Sequence, residues 1–290
     1  VTKEHGIERE ILFIDDGSTD ASWEVLQELA DKDPQTKGIR FRRNHGKSAA
    51  LNVGFKQVSG DVVITMDADL QDSPEEVPEL ERRILQEGYD LVSGWKKKRH
   101  DPITKTVPTK LYNWATRRVS GIHLHDFNCG LKAYRREVVQ AVEVNGEMHR
   151  YIPVLAKQAG FSRIGEQVVQ HQARKYGTTK FGLERFVNGF LDLLTIAFLG
   201  RFGHKPMHLF GVLGSLMFAG GFALFAGIGG YKLWALYSEV AARNIADISA
   251  FHIALACMVM GLQLFLAGFV GELVTRNAPS RNVYLLKETL

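Results

Sequence analysis

The sequence predicts an α/β domain with a mostly parallel sheet, followed by two apolar helices, and three observations predict it. Residues 1–180 alternate strand-like and helix-like segments. Two of the strand-like runs are short, mostly apolar and lead into aspartates, as buried parallel strands with a ligand site at their ends do. Two later stretches, Met207–Tyr231 and Ala250–Gly271, contain no Asp, Glu, Lys or Arg. Each exceeds the ~20 residues that a helix needs to cross a bilayer.

Glu10–Ile14 is the first apolar run and ends in Asp15-Asp16-Gly17. Ser18 or Thr19 can cap the helix that follows, with Trp23, Leu26 and Leu29 on one face. A second helix is expected from Gly46 to Gln57, before Gly60. Asp61–Met66 is the next strand and ends in Asp67. Ser73-Pro74-Glu75-Glu76 reads as a helix start with cap, proline in the first turn and capping-box glutamate. Val77, Leu80, Ile84 and Leu85 give that helix its core face, and Gly88 its stop. Leu91–Gly94 is a third strand, followed by Trp95 and the basic run Lys96–Arg99, a solvated loop that could also escort an anionic headgroup.

Residues 181–206 form a linker with amphipathic character. Phe186, Phe190, Leu193, Leu194, Ala197 and Phe198 recur at helical spacing, interrupted by Arg185, Asn188 and Asp192. Such a helix suits a membrane interface or a packed position on the α/β domain. The expected spans are 207–231 and 250–274, with a connector at 232–249 and a tail at 275–290. Gly211, Ser215, Ala219, Ala223 and Gly227 recur every fourth residue, a small-residue stripe that admits the second span or another copy of the chain, hence a possible homo-oligomer. Arg201 and Lys205 before the hairpin, and Arg276, Arg281 and Lys287 after it, outnumber Lys232 and Arg243 in the connector, which favours both ends in the cytosol.

The chain has 290 residues, 45% hydrophobic and 23% charged, with net charge +4. That length suits about two units at ~150 residues each. The composition excludes wholesale disorder, and two cysteines, Cys129 and Cys257, exclude a disulfide framework or zinc spacing. No basic run is interleaved with stacking aromatics, so a membrane surface and anionic phosphates are expected partners and nucleic acid is not. Residues 1–10 carry no apolar leader core.

Ligands of open α/β sheets bind beyond the carboxyl ends of the strands, where both acidic clusters fall. Asp67 and Asp69, two residues apart, face the same side of an extended segment. With Gln71 they offer hard oxygen ligands that suit Mg²⁺ or Mn²⁺ and leave positions for phosphate oxygens.

Two sets of motifs carry a family resemblance. Asp15–Asp20, Asn44–Lys47 with Ala49–Gly54, and Gly60-Asp61 leading to Asp67–Asp72 resemble glycosyltransferase family 2. Leu70–Glu75, Asp126–Lys132 and Arg174–Lys180 are similar to its polyprenyl-phosphate branch, the dolichol-phosphate mannose synthases and bacterial undecaprenyl-phosphate transferases. The resemblance covers nearly the whole chain and implies a Rossmann-like GT-A nucleotide-sugar domain at 1–180, cytosolic and anchored in the cell (inner) membrane. The family domain normally opens with an apolar strand and a Pro-x-x-Asn-Glu turn. None precedes Asp15, so the chain is expected to lack that first strand.

The resemblance implies a metal-dependent, inverting transfer of a hexose from a nucleotide diphosphate sugar, UDP-glucose or a related UDP-sugar, to undecaprenyl phosphate or a similar polyprenyl phosphate. Asp15, Asp16, Lys47 and Asp67 would bind the nucleotide sugar, and Asp67, Asp69 and Gln71 the Mg²⁺ or Mn²⁺. Asp126 matches the aspartate near the reacting centre. The acceptor phosphate, with its second pKa about 6, is already a nucleophile at neutral pH, so Asp126 is expected to position rather than to remove a proton. Lys132, Arg174, Lys180 and Arg117 are the acceptor-phosphate candidates, with Arg135 and Arg136 behind them. Lys132 stands where many relatives have arginine, which exchanges a bidentate grip for a point charge. His45, His123 and His125 read as structural or surface residues. The alternatives are a dolichol-phosphate mannose synthase-like transfer from GDP-mannose, a processive polysaccharide synthase, whose Gln-x-x-Arg-Trp motif is absent, and a catalytically silent membrane scaffold.

Overall fold

The computed structural model describes residues 1–97, 103–144, 146, 148–172, 191, 193–195, 198, 202, 205–241 and 243–277, with only the backbone for 103–108, 111 and 276. Arg174 and Lys180, Lys98 and Arg99, nearly all of the amphipathic segment 181–200, and Arg201, Arg281 and Lys287 lie outside the described residues. The chain divides into two compact units, Val1–Thr195 and Ile196–Leu290.

In the first unit, β1 (Ile11–Asp15) pairs in parallel with β2 (Thr36–Arg40). β2 was not legible as a strand, because Thr36-Lys37-Gly38-Ile39-Arg40 holds one large apolar residue. Its Gly38 makes room for Trp23: an added Cβ there would lie 3.2 Å from the indole. Trp23 belongs to α1 (Ser22–Lys32), which starts later than Ser18 or Thr19 would have capped it. Ser18 instead donates its N–H to Asp15, and Asp20 accepts from Ser22 at the true start.

A second sheet runs in the order β3 (Val62–Thr65), β5 (Lys132–Arg135), β4 (Leu91–Trp95), β6 (Ile164–Val168). β5 is antiparallel to both neighbours, and β4 pairs in parallel with β6. Three strands therefore point one way, and β5 alone runs back through the middle.

Adjacent residues of each strand face opposite sides. Val63, Leu91 and Tyr134 join Phe55 of α2 (Lys47–Gln57), Val138 and Val139 of α5 (Arg136–Ala141) and Ile152 of α6 (Ile152–Gln158) in one core. Val92, Leu131 and Ala133 join Leu80 and Ile84 of α3 (Val77–Leu85) in the other. Leu85 points outward, 59% exposed, so the core face of α3 is narrower than its sequence suggests. The expected capping box does not form: Pro74–Glu76 is a 3-10 turn, Ser73 donates its hydroxyl to Glu75, and Glu76 accepts from Gln167 and Gln170. Gly88, at φ +71°, makes the left-handed turn after α3 that a side chain would strain. α4 (Ile103–Ser120) connects β4 towards the loop before β5.

The second unit contains α7 (Pro206–Tyr237) and α8 (Ser249–Asn277), both long and apolar enough to cross a bilayer. They pack antiparallel at glycines. An added Cβ at Gly214 would stand 2.6 Å from the Gly261 carbonyl, and one at Gly221 would stand 2.8 Å from that of Ala254. The every-fourth stripe is not the seam: Gly211, Gly214 and Gly221 are buried, whereas Ser215, Ala219, Ala223 and Gly227 are exposed. A strict four-residue repeat turns about 40° per step at 3.6 residues per turn and leaves the contact face, whereas a seven-residue spacing stays on it. α7 also continues past the expected span end at Tyr231.

Candidate active site

Because β5 runs antiparallel, its first residue lies at the carboxyl ends of its neighbours. Lys132 registers with Thr65 of β3 and Ser93 of β4. The loop before it, Asp126–Leu131, is thereby brought to the Asp67 turn that follows β3. Thr65 donates its hydroxyl to the Gly130 carbonyl at 2.9 Å, and Ser93 donates to the Asp126 carbonyl at 3.3 Å. Gly130 is packed against the acid itself, since an added Cβ would lie 2.5 Å from Asp67 Oδ2.

A second loop arrives from β1. Asp16 accepts the backbone N–H groups of His45 at 2.7 Å and Gly46 at 2.9 Å, which anchors the residues before α2. Gly17, at φ +75°, permits this approach: an added Cβ would meet the Arg43 backbone at 2.6 Å. Lys47, the first residue of α2, then reaches Asp67 with Nζ 2.5 Å from Oδ1. Asp16 thus anchors the loop that delivers Lys47, and its oxygens are engaged with backbone groups. Asp15 is buried, accepting from Ser18 N–H at 2.8 Å and facing Arg40 Nε at 3.2 Å. Arg40 was not singled out in the sequence because the strand carrying it was not legible.

The Asp67–Asp72 turn is strained at Leu70, a non-glycine residue at φ +59°. Asp69 accepts the Gln71 N–H at 3.2 Å across that bend. Burial works to raise the Asp67 carboxyl, but Lys47, with Lys96 and Lys132 beyond it, outweighs burial and holds the group below the usual carboxylate range. Asp67, Asp69 and Gln71 supply two carboxylates and an amide, a hard-oxygen donor set. Among the described residues no group of three His, Cys, Asp or Glu could hold a metal ion. An ion held by this set would have to complete its coordination with oxygens from a bound phosphate or water, because the set is not a closed protein cage.

Asp126 is buried and accepts the Asn128 N–H at 3.0 Å. Its loop is held from α4, where Asn113 donates to the His125 carbonyl at 2.9 Å and accepts from Phe127 N–H at 3.3 Å. From β6, Glu166 accepts the His125 N–H at 2.7 Å and pairs with its ring, which stacks on Trp95 with centroids 4.1 Å apart. His125 is thus tied to Glu166 and Trp95; neither Asn113 nor Glu166 carries a motif in the sequence.

Lys132 is buried rather than poised at a surface. Its ammonium donates to the carbonyls of Phe127, at 3.3 Å, and Cys129. Burial, reinforced by the like charge of Lys47 and opposed by Cys129 and the carboxylates of Asp126 and Asp67, holds its pKa below the lysine range. Together with Lys47, Thr65, His149 and Arg150 it lines a small cleft whose enclosed volume is only about 10 Å³, room for about one water. His149 is fixed there by Ser48, 3.1 Å from its Nδ1. Burial pushes the neighbouring Cys129 thiol up to about 11 and keeps it protonated.

Several basic residues lie elsewhere than expected. Lys96 is not a solvated loop charge: its side chain is mostly buried and its Nζ is 2.7 Å from Asp72 Oδ1. Arg135 and Arg136 lie at the far end of β5, where they bond the Tyr89 and Ser59 carbonyls. The antiparallel direction of β5 carries every residue after Lys132 away from the acidic turn. Arg117, one turn beyond Asn113 on α4, makes no ion pair with the site acids among the described residues.

The sequence model of glycosyl transferase family 2 matches residues 2–142. Dodecaprenyl-phosphate galacturonate synthase of Rhizobium johnstonii is 33% identical over 275 residues, covering 92% of this chain and 78% of that protein. Undecaprenyl-phosphate 4-deoxy-4-formamido-L-arabinose transferase of Pseudomonas aeruginosa is 36% identical over 271 residues, covering 92% and 76%. Among solved structures, glucosyl-3-phosphoglycerate synthase from Mycobacterium tuberculosis in complex with phosphoglyceric acid aligns with TM-score 0.49 and 19% identity, over 67% of this chain and 69% of that one.

Proposed function

The chain belongs to glycosyltransferase family 2, and from that membership we propose that it transfers a sugar from a nucleotide diphosphate donor to a polyprenyl phosphate at a membrane. The observation that carries this reading is the meeting of three loops at one sheet edge: Lys47 on Asp67, Asp67 against Gly130, and the Asp126 carbonyl on Ser93 of β4. Relatives named for polyprenyl-phosphate sugar transfer, each matched over 92% of this chain, support the acceptor class. The two apolar helices support a bilayer-anchored protein, and the excess of Arg and Lys at the outer ends of the pair over the connector supports a cytosolic catalytic unit.

Donor and acceptor are both anionic, so the site must supply positive charge. Lys47, able to leave Asp67 for a donor phosphate, supplies it directly, and the buried Lys132 adds positive charge near the same acid. Asp67, Asp69 and Gln71 would hold Mg²⁺ or Mn²⁺, whose chemistry is to neutralise the diphosphate leaving group. The acceptor phosphate monoester, with second pKa about 6, needs no proton removed at neutral pH. Asp126, buried and bound to its own loop, positions the reacting groups. Attack by the phosphate oxygen on the anomeric carbon from the face opposite the diphosphate gives inversion.

The donor we propose is a UDP-hexose, glucose or a close relative. Incubating the full chain in lipid with undecaprenyl phosphate, Mg²⁺ and a panel of UDP-sugars and GDP-mannose tests this. The expected product is a lipid-phosphate monosaccharide from one UDP-sugar. A product from GDP-mannose alone would replace the donor class, and no lipid-linked product from any donor would remove the reading.

A further inference from the structure

The turn that carries the proposed ion ligands is not free-standing. After β6 the chain comes back alongside it: Asp72 and His171 form an antiparallel bridge, and Gln172 donates its N–H to the Gln71 carbonyl at 2.9 Å. Through this pairing the imidazole of His171 reaches the Gln71 side chain, with Nε2 of each 3.3 Å apart. The same Gln71 nitrogen donates to the Gln172 carbonyl at 3.4 Å. A carbonyl can only accept, so the NH₂ end of the amide faces the 171–172 segment and the Oε1 end is turned from it. Histidine Nε2 then has to be an acceptor, which fixes the tautomer with the proton on Nδ1.

We propose that His171 is a positioning residue for the divalent-ion site: by accepting from Gln71 Nε2 it holds the amide in the orientation that presents Oε1 as an ion ligand. An isolated glutamine amide can flip, and half of its orientations offer NH₂, which repels a cation. Two acceptors on one side, His171 Nε2 and the Gln172 carbonyl, remove that freedom. Groups that orient metal ligands commonly change metal affinity by ~10–100-fold when deleted.

This inference rests on the assignment of Asp67, Asp69 and Gln71 to the ion, and the test separates the two. Mn²⁺ binding to the full chain in detergent, with saturating UDP, is followed by the loss of the free-ion electron paramagnetic resonance signal. His171→Ala is expected to raise the Mn²⁺ dissociation constant by ~10–100-fold. His171→Gln, whose Oε1 reaches the position of the histidine Nε2, is expected to restore most of that loss, a recovery that simple packing would not give. It also serves as the deciding variant if the alanine protein does not fold. Wild-type affinity in His171→Ala, or equal losses in Ala and Gln, overturns the positioning role while Asp69→Asn still abolishes binding. Unchanged binding in Asp69→Asn overturns the ion assignment itself, and the role of His171 with it.

Discussion

Lys47 Nζ stands 2.5 Å from Asp67 Oδ1 and joins the loop after β1 to the turn after β3. The two side chains are 38% and 41% exposed, so as a contribution to stability the pair is worth little. Its effect is on Asp67, whose carboxyl burial alone would raise. Lys47→Met leaves that burial opposed only by the more distant Lys96 and Lys132. Asp67 then takes up a proton at higher pH, and because ion and donor binding need the carboxylate, the acid limb of the kcat/KM profile moves to higher pH. Lys47→Arg keeps the limb in place. A limb that stays put in Lys47→Met would mean that Asp67 does not govern donor binding.

Gly130 tests the closeness of the loops. An added Cβ lies 2.5 Å from Asp67 Oδ2 and 2.8 Å from its Cγ, so Gly130→Ala forces the carboxylate or the loop to shift by roughly an ångström. Displacement on that scale costs about 10²-fold in turnover when the displaced group orients substrate. The site is at the rim of the sheet rather than in either core, so the melting temperature should change little. Full activity in Gly130→Ala would show that Asp67 tolerates displacement and does not hold the donor.

Glu10 makes an acid-sensitive clamp at the start of β1. It accepts from the backbone of Ser59 and Gly60 and from the Ser59 hydroxyl, and pairs with Lys37. The Ser59 backbone N–H above all, working against burial, lowers its pKa from 4.5 to about 2. A depressed carboxyl contributes stability above its unfolded pKa and loses it as pH falls towards the folded one. The contribution is therefore present above about pH 4.5 and fades towards pH 2, and is of order 1 kcal/mol once solvent screening is allowed for. Glu10→Gln should lower the melting temperature at pH 7 and flatten its fall over that acid window. Hydrogen exchange at the Ser59 and Gly60 amides should rise at the same time. Identical melting curves in wild type and Glu10→Gln at pH 7 and pH 3 would remove the clamp.

The parts of the site legible in the sequence are those written locally. Asp67-Ala68-Asp69 follows an unbroken apolar strand, and Lys47 opens a helix behind Gly46; both hold in the structure. Partners set by strand direction were not legible. Nothing within Lys132–Arg135 says that β5 runs backwards, yet that reversal takes Lys132 into the site and removes Arg135 and Arg136 from it. Asp72 as the partner of Lys96, Glu166 as that of His125 and His171 as that of Gln71 are similarly remote in sequence and adjacent only after folding. β2 was missed because an edge strand beside a small helix needs little apolar surface. Of the two partners that the small-residue stripe of α7 admits, the structure does not seat the second span on it, because a four-residue repeat follows a contact face over two turns and departs from it over four.

That seam gives two glycines of one helix opposite expected behaviour. At Gly214 an added Cβ would stand 2.6 Å from the Gly261 carbonyl and 2.7 Å from the Phe265 nitrogen. These are backbone atoms, which cannot rotate aside, so the helices must separate. Such overpacking costs about 1–3 kcal/mol. Gly220, six residues on, has nothing within 4 Å of an added Cβ. There alanine adds no clash and improves helix propensity by up to about 1 kcal/mol. Gly214→Ala should thus lower the detergent-solubilised melting temperature of the helix pair, with Gly214→Val lower still, while Gly220→Ala leaves it unchanged or raises it. The antiparallel packing can be followed separately through a cysteine pair placed across α7 and α8, whose crosslinking rate should fall in the Gly214 variants only. Equal responses at the two positions would mean that α7 and α8 do not meet at Gly214, and the buried seam would have to be moved to another face.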